Sequence, residues 1–122
     1  MKVLFVCLGN SCRSQMAEGW ARELGIEAAS AGTNPADNVA PNAVTVMSEK
    51  AIDISQHTPS HVDDFDADDW DQIIKMGCEV YCQNLPIAAD WGLSDPHGGP
   101  VEEYRATRDE IEQRMRELIA SN

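Results

Sequence analysis

The tightest constraint on the fold is a join near the start of the chain. The apolar run Val3-Leu4-Phe5-Val6 passes directly into Cys7-Leu8-Gly9-Asn10-Ser11-Cys12-Arg13-Ser14-Gln15, and that stretch passes directly into a helical pattern. Residues 2–6 read as a buried strand. Residues 14–24 place Met16, Trp20 and Leu24 at i, i+4 and i+8 with Ala17 and Ala21 beside them, one apolar helical face, and Gly25 is a natural stop. The alternation then repeats. A short strand is expected over 27–30, running into Ala31-Gly32-Thr33. Pro41 opens a helix carrying Ala43, Val44, Met47 and Ala51. A third strand covers 70–76 with Ile73-Ile74. The last helix, over 100–119, begins with Pro100, Glu102 and Glu103 and carries Tyr104, Ile111, Met115, Leu118 and Ile119. Alternating strands and helices predict an α/β fold of three layers, a parallel sheet with helices on both faces. Neither a repeat nor an interior linker divides residues 1–122, so one domain is expected.

Composition narrows the function classes. A net charge of −12 in 122 residues, with lysine only at Lys2, Lys50 and Lys75, argues against nucleic acid, whose phosphates need cations to neutralise them. The acidic run Asp63-Asp64-Phe65-Asp66-Ala67-Asp68-Asp69 reads as a solvated loop rather than a docking surface. The acid excess also suggests adaptation to high salt, where screening relieves self-repulsion. No apolar window is long enough to cross a membrane, and Met1–Cys7 is too short for a signal peptide, so a cytoplasmic protein is expected. In that compartment the four cysteines, Cys7, Cys12, Cys78 and Cys82, serve catalysis, redox work or metal binding rather than a disulfide framework.

Ligands in open parallel sheets bind beyond the carboxyl ends of the strands, where residues 7–14 sit. Gly9 lets backbone amides turn inward, and the helix start adds the positive end of its dipole, so an oxyanion is the expected guest. Arg13 offers a planar fork matched to a tetrahedral oxyanion. Cys7, ringed by those amides and by Arg13, is placed to act as a thiolate nucleophile on that guest. The competing reading is a buried strand-end cysteine with Arg13 in a surface ion pair.

Cys7 to Ser14 resembles the phosphate loop of the low-molecular-weight protein tyrosine phosphatase superfamily. The stretch from Asn10 to Gly19 is more similar to the arsenate reductases built on that fold. Further matches are Ser30-Ala31-Gly32-Thr33, Ile52-Asp53-Ile54-Ser55-Gln56-His57-Thr58, Trp91-Gly92, Asp95-Pro96 and Arg108-Asp109-Glu110-Ile111. The resemblance implies a four-stranded parallel sheet and an oxyanion-binding loop of Leu8, Gly9, Asn10, Ser11, Cys12, Arg13 and Ser14. It also implies Cys7 as nucleophile, Arg13 as clamp and Asp95 as general acid, with Asn10 and Ser14 holding loop and thiolate by hydrogen bonds.

Two features separate reductase from phosphatase. Tyrosine phosphatases of this family place aromatic residues after the Asp-Pro pair, whereas His97-Gly98-Gly99 offers no aryl-binding wall. A reductase also needs two electrons, and Cys78-Glu79-Val80-Tyr81-Cys82 supplies a pair. In a helical turn its Cα atoms would lie about 6 Å apart, within the disulfide range of roughly 4.4–6.8 Å. By resemblance, Cys7, Cys78 and Cys82 form a relay that reduces arsenate to arsenite, with phosphate and sulfate as competing oxyanions and a thioredoxin-like reductant as electron donor. Structural zinc ligands or inert core cysteines are the alternatives for the pair. A low-molecular-weight phosphatase and a non-catalytic thiol sensor are the alternatives for the whole chain. Cys12 is expected to pack rather than react. Some relatives hold potassium through residues matching Asn10, Glu18 and Ser30, but Ser60 stands where an acid is needed. Glu18 is therefore read as a helix-surface carboxylate and His57 as a structural histidine. The expected protein is a monomer without nucleic-acid or membrane partner, cofactor or resident metal.

Overall fold

The structure, a computed structural model, describes residues 1–77 and 85–121. Its elements run β1 (Lys2–Cys7), α1 (Arg13–Glu23), β2 (Glu27–Gly32), α2 (Pro41–Ser48), β3 (Gln72–Lys75), β4 (Ala89–Asp90) and α3 (Val101–Ala120). The strands form one parallel sheet in the order β2-β1-β3-β4. The result is the expected α/β fold, a four-stranded parallel sheet with helices packed against it.

The central strand explains the arrangement. Val3, Leu4, Phe5 and Val6 are all 0% exposed, so both faces of β1 are covered, as a continuous apolar run in a parallel sheet requires. Helix α1 packs on β1, β2 and α3, using the predicted face of Met16, Ala17, Trp20 and Ala21. Gly25 ends it with φ of 89°. Its N–H donates to Arg22 O at 3.2 Å and the N–H of Ile26 to Ala21 O at 2.8 Å, the paired closure of a Schellman motif. Pro41 opens α2 and Pro100 caps α3, as their missing N–H groups allow.

Two differences from the sequence expectation have local causes. The acidic run is not featureless loop but two 3₁₀ turns, Val62–Asp64 and Ala67–Asp69. His61 Nδ1 accepts from the Asp63 N–H at 3.0 Å and Asp66 from the Asp68 N–H at 3.0 Å, so the polar residues cap the turns that expose them. Strand β4 is only two residues long and carries no periodic signal. Beyond it, the N–H of Trp91 donates to Lys75 O at 3.0 Å and that of Leu93 to Met76 O at 2.7 Å. These bonds, with Trp91 packed 5.6 Å from Phe5, lead the chain to the carboxyl end of the sheet just before Asp95.

Candidate active site

The loop between β1 and α1 is shaped from outside. Carbonyl oxygens of Cys7, Leu8, Gly9 and Ser11 accept from the N–H groups of Thr33, Asn34, Ala36 and Ala40, at 3.2, 2.8, 2.8 and 2.9 Å. Asn10 O accepts from Gln15 Nε2 at 3.1 Å, and Cys12 O begins the α1 ladder. With its carbonyls drawn outward, the loop presents its N–H groups to the concave side, the arrangement of an anion nest. The N-cap residue of α1, Cys12, makes no side-chain capping hydrogen bond, the kind of helix end that suits an oxyanion. Gly32 permits the closeness of the supporting strand: a Cβ there would lie 2.7 Å from Leu8 O and 3.0 Å from Asn10 N. This gives a physical reason for glycine in Ser30-Ala31-Gly32-Thr33.

Cys7 is 2% exposed at the base of this cradle. Its Sγ receives the Asn10 N–H at 3.1 Å and lies 2.8 Å from Ser14 Oγ. Asn10 Nδ2 donates to the same Ser14 Oγ at 2.7 Å, so the hydroxyl has its own proton left to direct at the sulfur. Two hydrogen-bonding groups, the Asn10 N–H and the Ser14 hydroxyl, thus converge on Cys7 Sγ. Asn10 pays for this with a left-handed backbone, φ of 50°, in a residue type that tolerates it better than most.

Arg13 is 1% exposed. Its Nη1 donates to Leu93 O at 3.0 Å and its Nη2 lies 3.6 Å from Asp95 Oδ2. The candidate clamp and the candidate acid, eighty-two residues apart in sequence, are therefore neighbours. Asp95 is partly exposed, and its Oδ1 accepts the His97 N–H at 3.0 Å in a tight turn. The structure brings together Cys7, Leu8, Gly9, Asn10, Ser11, Cys12, Arg13, Ser14 and Asp95. Cys78 and Cys82 lie outside the described residues.

Cys12 belongs to a different environment from Cys7. Its Sγ lies 3.6 Å from Tyr104 Oη, 3.6 Å from Ser11 Oγ and 4.0 Å from His97 Nδ1. Burial pushes its thiol up from the ordinary value, opposed by the Ser11 and Tyr104 hydrogen bonds and reinforced by the nearby negative charge of Asp95 and Cys7. Burial likewise raises the Tyr104 hydroxyl, with the Cys12 contact adding to it. A protonated, enclosed thiol is a poor nucleophile. Tyr104 also amends the expectation of an aryl-free surround: with Ser11, Val39, His97 and Gly98 it lines an adjoining cavity of about 690 Å³. That aromatic comes from α3, not from the residues after Asp95-Pro96, so reading forward from the Asp-Pro pair missed it.

Glu18 corrects a second expectation. It is 8% exposed, not a helix-surface carboxylate. Ser30 Oγ donates to its Oε1 at 2.7 Å, Arg22 Nη2 pairs with its Oε2 at 2.9 Å, and His57 Nδ1 stands 3.7 Å from that oxygen. Ser60 contributes through its backbone, its N–H donating to Asn10 Oδ1 at 2.8 Å.

Residues 2–121 match the low molecular weight phosphotyrosine protein phosphatase family, and the chain belongs to it. Its relatives include arsenate reductases, and its structural neighbours include both arsenate reductases and a low molecular weight protein tyrosine phosphatase of T. tengcongensis, 31% identical with a TM-score of 0.86 over 100% of this chain and 99% of that one. A glutaredoxin arsenate reductase of Synechocystis sp. is 44% identical, covering 98% of this chain and 96% of its own. An arsenate reductase of Staphylococcus aureus is 38% identical over 89% of this chain and 88% of its own. A solved structure described as an arsenate reductase in the phosphate binding state superposes with a TM-score of 0.91 at 42% identity, over 98% of this chain and 97% of that one.

Proposed function

We propose that this protein is an arsenate reductase that reduces arsenate to arsenite through a thiol relay. The observation that carries the reading is the Cys7 sulfur, held by Asn10 and Ser14 at the base of an outward-carbonyl loop beside Arg13. The names of the relatives at 38–44% identity support arsenate over a phosphate ester.

The inward N–H groups and the Arg13 fork bind the oxyanion, and the Cys7 thiolate attacks arsenic. The S–As bond forms as an As–O bond breaks, and Asp95 gives the departing oxygen a proton so that water leaves. The Cys78 thiolate then attacks Cys7 Sγ. A Cys7–Cys78 disulfide forms, and the S–As electron pair stays on arsenic, reducing As(V) to arsenite. The Cys82 thiolate attacks Cys78, releasing Cys7 as thiolate and leaving a Cys78–Cys82 disulfide. A dithiol protein of the thioredoxin type reduces that disulfide and is itself oxidised. The Synechocystis relative is named for glutaredoxin, which makes glutaredoxin with glutathione the second candidate donor.

The test is arsenate-dependent NADPH oxidation, run once with thioredoxin and its reductase and once with glutaredoxin, glutathione and glutathione reductase, beside hydrolysis of p-nitrophenyl phosphate. NADPH oxidation with either system is expected, and the faster one identifies the donor. Hydrolysis without NADPH oxidation would make the protein a phosphatase, and neither activity would make it a sensor. Cys82→Ser is expected to complete one turnover and stop; full cycling by that variant removes Cys82 from the relay.

A further inference from the structure

The hydrogen bonds around Cys7 do not end at Asn10 and Ser14. Gln15, 1% exposed, sits behind them and is absorbed by none of the steps above. Its Nε2 faces three carbonyl oxygens, Asn10 O and Asn10 Oδ1 at 3.1 Å each and Thr58 O at 3.4 Å. Only the amino end of the amide can meet three acceptors, so the orientation of Gln15 is fixed. Its Oε1 is then the atom 3.0 Å from His57 Nδ1, and that nitrogen carries a hydrogen.

Each orientation dictates the next. Asn10 Oδ1 accepts from Gln15 and from the Ser60 N–H, which turns Nδ2 toward Ser14 Oγ. A serine oxygen that accepts from Nδ2 has its hydroxyl proton available for Cys7 Sγ at 2.8 Å. If Asn10 turned its amide over, Oδ1 would face Ser14 and draw that proton off the sulfur. Gln15 also bonds the Asn10 carbonyl and so holds the left-handed backbone that aims the Asn10 N–H at Sγ. We infer that Gln15 is a positioning residue for the Cys7 nucleophile, orienting Asn10 and through it Ser14, with His57 as the anchor that orients Gln15. The inference rests on Cys7 being the reacting thiol.

His57 does its part with the Nδ1 hydrogen, present in the neutral and the protonated ring alike. The charged groups facing it are Glu18, itself paired with Arg22, and Asp53. Ser30, on β2, completes that set by bonding Glu18.

The experiment is the rate of Cys7 alkylation by iodoacetamide from pH 5 to 9, located by mass spectrometry, in the full chain. Gln15→Met keeps the volume and removes every polar contact. It is expected to slow Cys7 alkylation at neutral pH about tenfold, the scale of a hydrogen bond to a charged group, and to move the profile to higher pH. His57→Leu, less buried, should shift the profile the same way by less, and His57→Gln, which restores a donor, should return toward wild type. Ile111→Val, buried on α3 and outside these hydrogen bonds, lowers stability and should leave the profile in place. A Gln15→Met or His57→Leu protein that is folded by circular dichroism and alkylates with the wild-type profile overturns the assignment. So does a rate loss uniform in pH that tracks melting temperature across all variants. Wild-type protein that alkylates readily at Cys7 but is inert to arsenate with both reductants would instead remove the proposed reaction and leave the Gln15 assignment standing.

Discussion

Asn10 Nδ2 donates to Ser14 Oγ at 2.7 Å, which leaves the serine's own hydroxyl proton available to Cys7 Sγ, 2.8 Å away. Removing the hydroxyl takes one donor from the sulfur while the loop's backbone bonds stay in place. Ser14→Ala is therefore expected to bind phosphate within about threefold of wild type, because the cradle's N–H groups and Arg13 are unchanged. Its Cys7 alkylation at pH 7 should fall roughly tenfold or more, from the loss of a charge-assisted hydrogen bond. Calorimetric titration with phosphate and timed alkylation separate the two effects. Equal losses in both would assign Ser14 to loop structure instead.

Gly32 carries a different burden, since its role is to be absent. A methyl group there would meet Leu8 O at 2.7 Å and Asn10 N and Cβ at 3.0 Å, and two of those three atoms are backbone that cannot swing aside. Gly32→Ala should destabilise the fold by about 1–3 kcal/mol, the usual cost of overpacking, and should weaken phosphate binding as well. Gly25 has open space around its Cβ position but a φ of 89°. Gly25→Ala should thus cost stability while leaving phosphate affinity within twofold, and urea melts with phosphate titrations on both variants distinguish the cases. Matching phosphate affinities in the two would show that β2 does not shape the loop.

The join between α2 and α3 gives a pH signature. Glu49, just past α2, accepts from Arg105 Nη2 at 2.8 Å and from Arg108 Nη1 at 2.7 Å. Hydrogen bonds from Arg105, then Arg108, bring its carboxyl down from 4.5 to about 2. A folded value below the unfolded one means stabilisation fully present above about pH 4.5 and lost as pH falls toward 2. The stability difference between wild type and Glu49→Gln should be constant from pH 8 to 5 and shrink below that. Denaturant melts across the range report it, and a difference that persists unchanged at pH 2.5 contradicts the linkage.

Net charge makes a separate prediction. At −12, like-charge repulsion opposes the compact state, and added salt should relieve it. The melting temperature is expected to rise between 0.1 and 2 M KCl, and the rise should be smaller in a variant with several of the acids at 63–69 replaced by Asn. A melting temperature flat in KCl would remove the case for salt adaptation.

What was legible in the sequence follows the range of the interactions involved. The strand Val3–Val6, the α1 face ending at Gly25 and the amphipathic α3 are local patterns, and they appear where the periodicity places them. Cys7 and Arg13 were readable because one loop carries them both. Strand β4 was not, because two residues cannot display a period and its place depends on bonds to Ile73, Lys75 and Met76. Glu18 looked like surface because nothing in α1 foretells that Ser30 will cover it from β2. The same holds for Gln15 and His57, and for Tyr104 against Cys12, ninety-two residues away. Their partners are long-range, and each carries an ordinary structural reading until the fold brings it to the loop.

Arg13 joins the loop to Leu93 O and Asp95, which makes a charge-preserving change the sharpest probe of the site. Lysine at this position keeps the positive charge but loses the planar fork, and one ammonium cannot serve Leu93 O, Asp95 and a tetrahedral oxyanion in the same geometry. Arg13→Lys is expected to weaken phosphate binding about a hundredfold, because bidentate charge-assisted bonds are replaced by a point charge. Leu93 O would be left without this buried donor, at a cost of about 1–3 kcal/mol to the fold. The residues leading to Asp95 would also lose their tie to the cradle. Arsenate turnover should then fall by more than binding does, since Asp95 is displaced from the departing oxygen as well. If turnover at saturating arsenate matched wild type and only the half-saturation concentration rose, Arg13 would act on binding alone and the coupling of clamp to acid would be wrong.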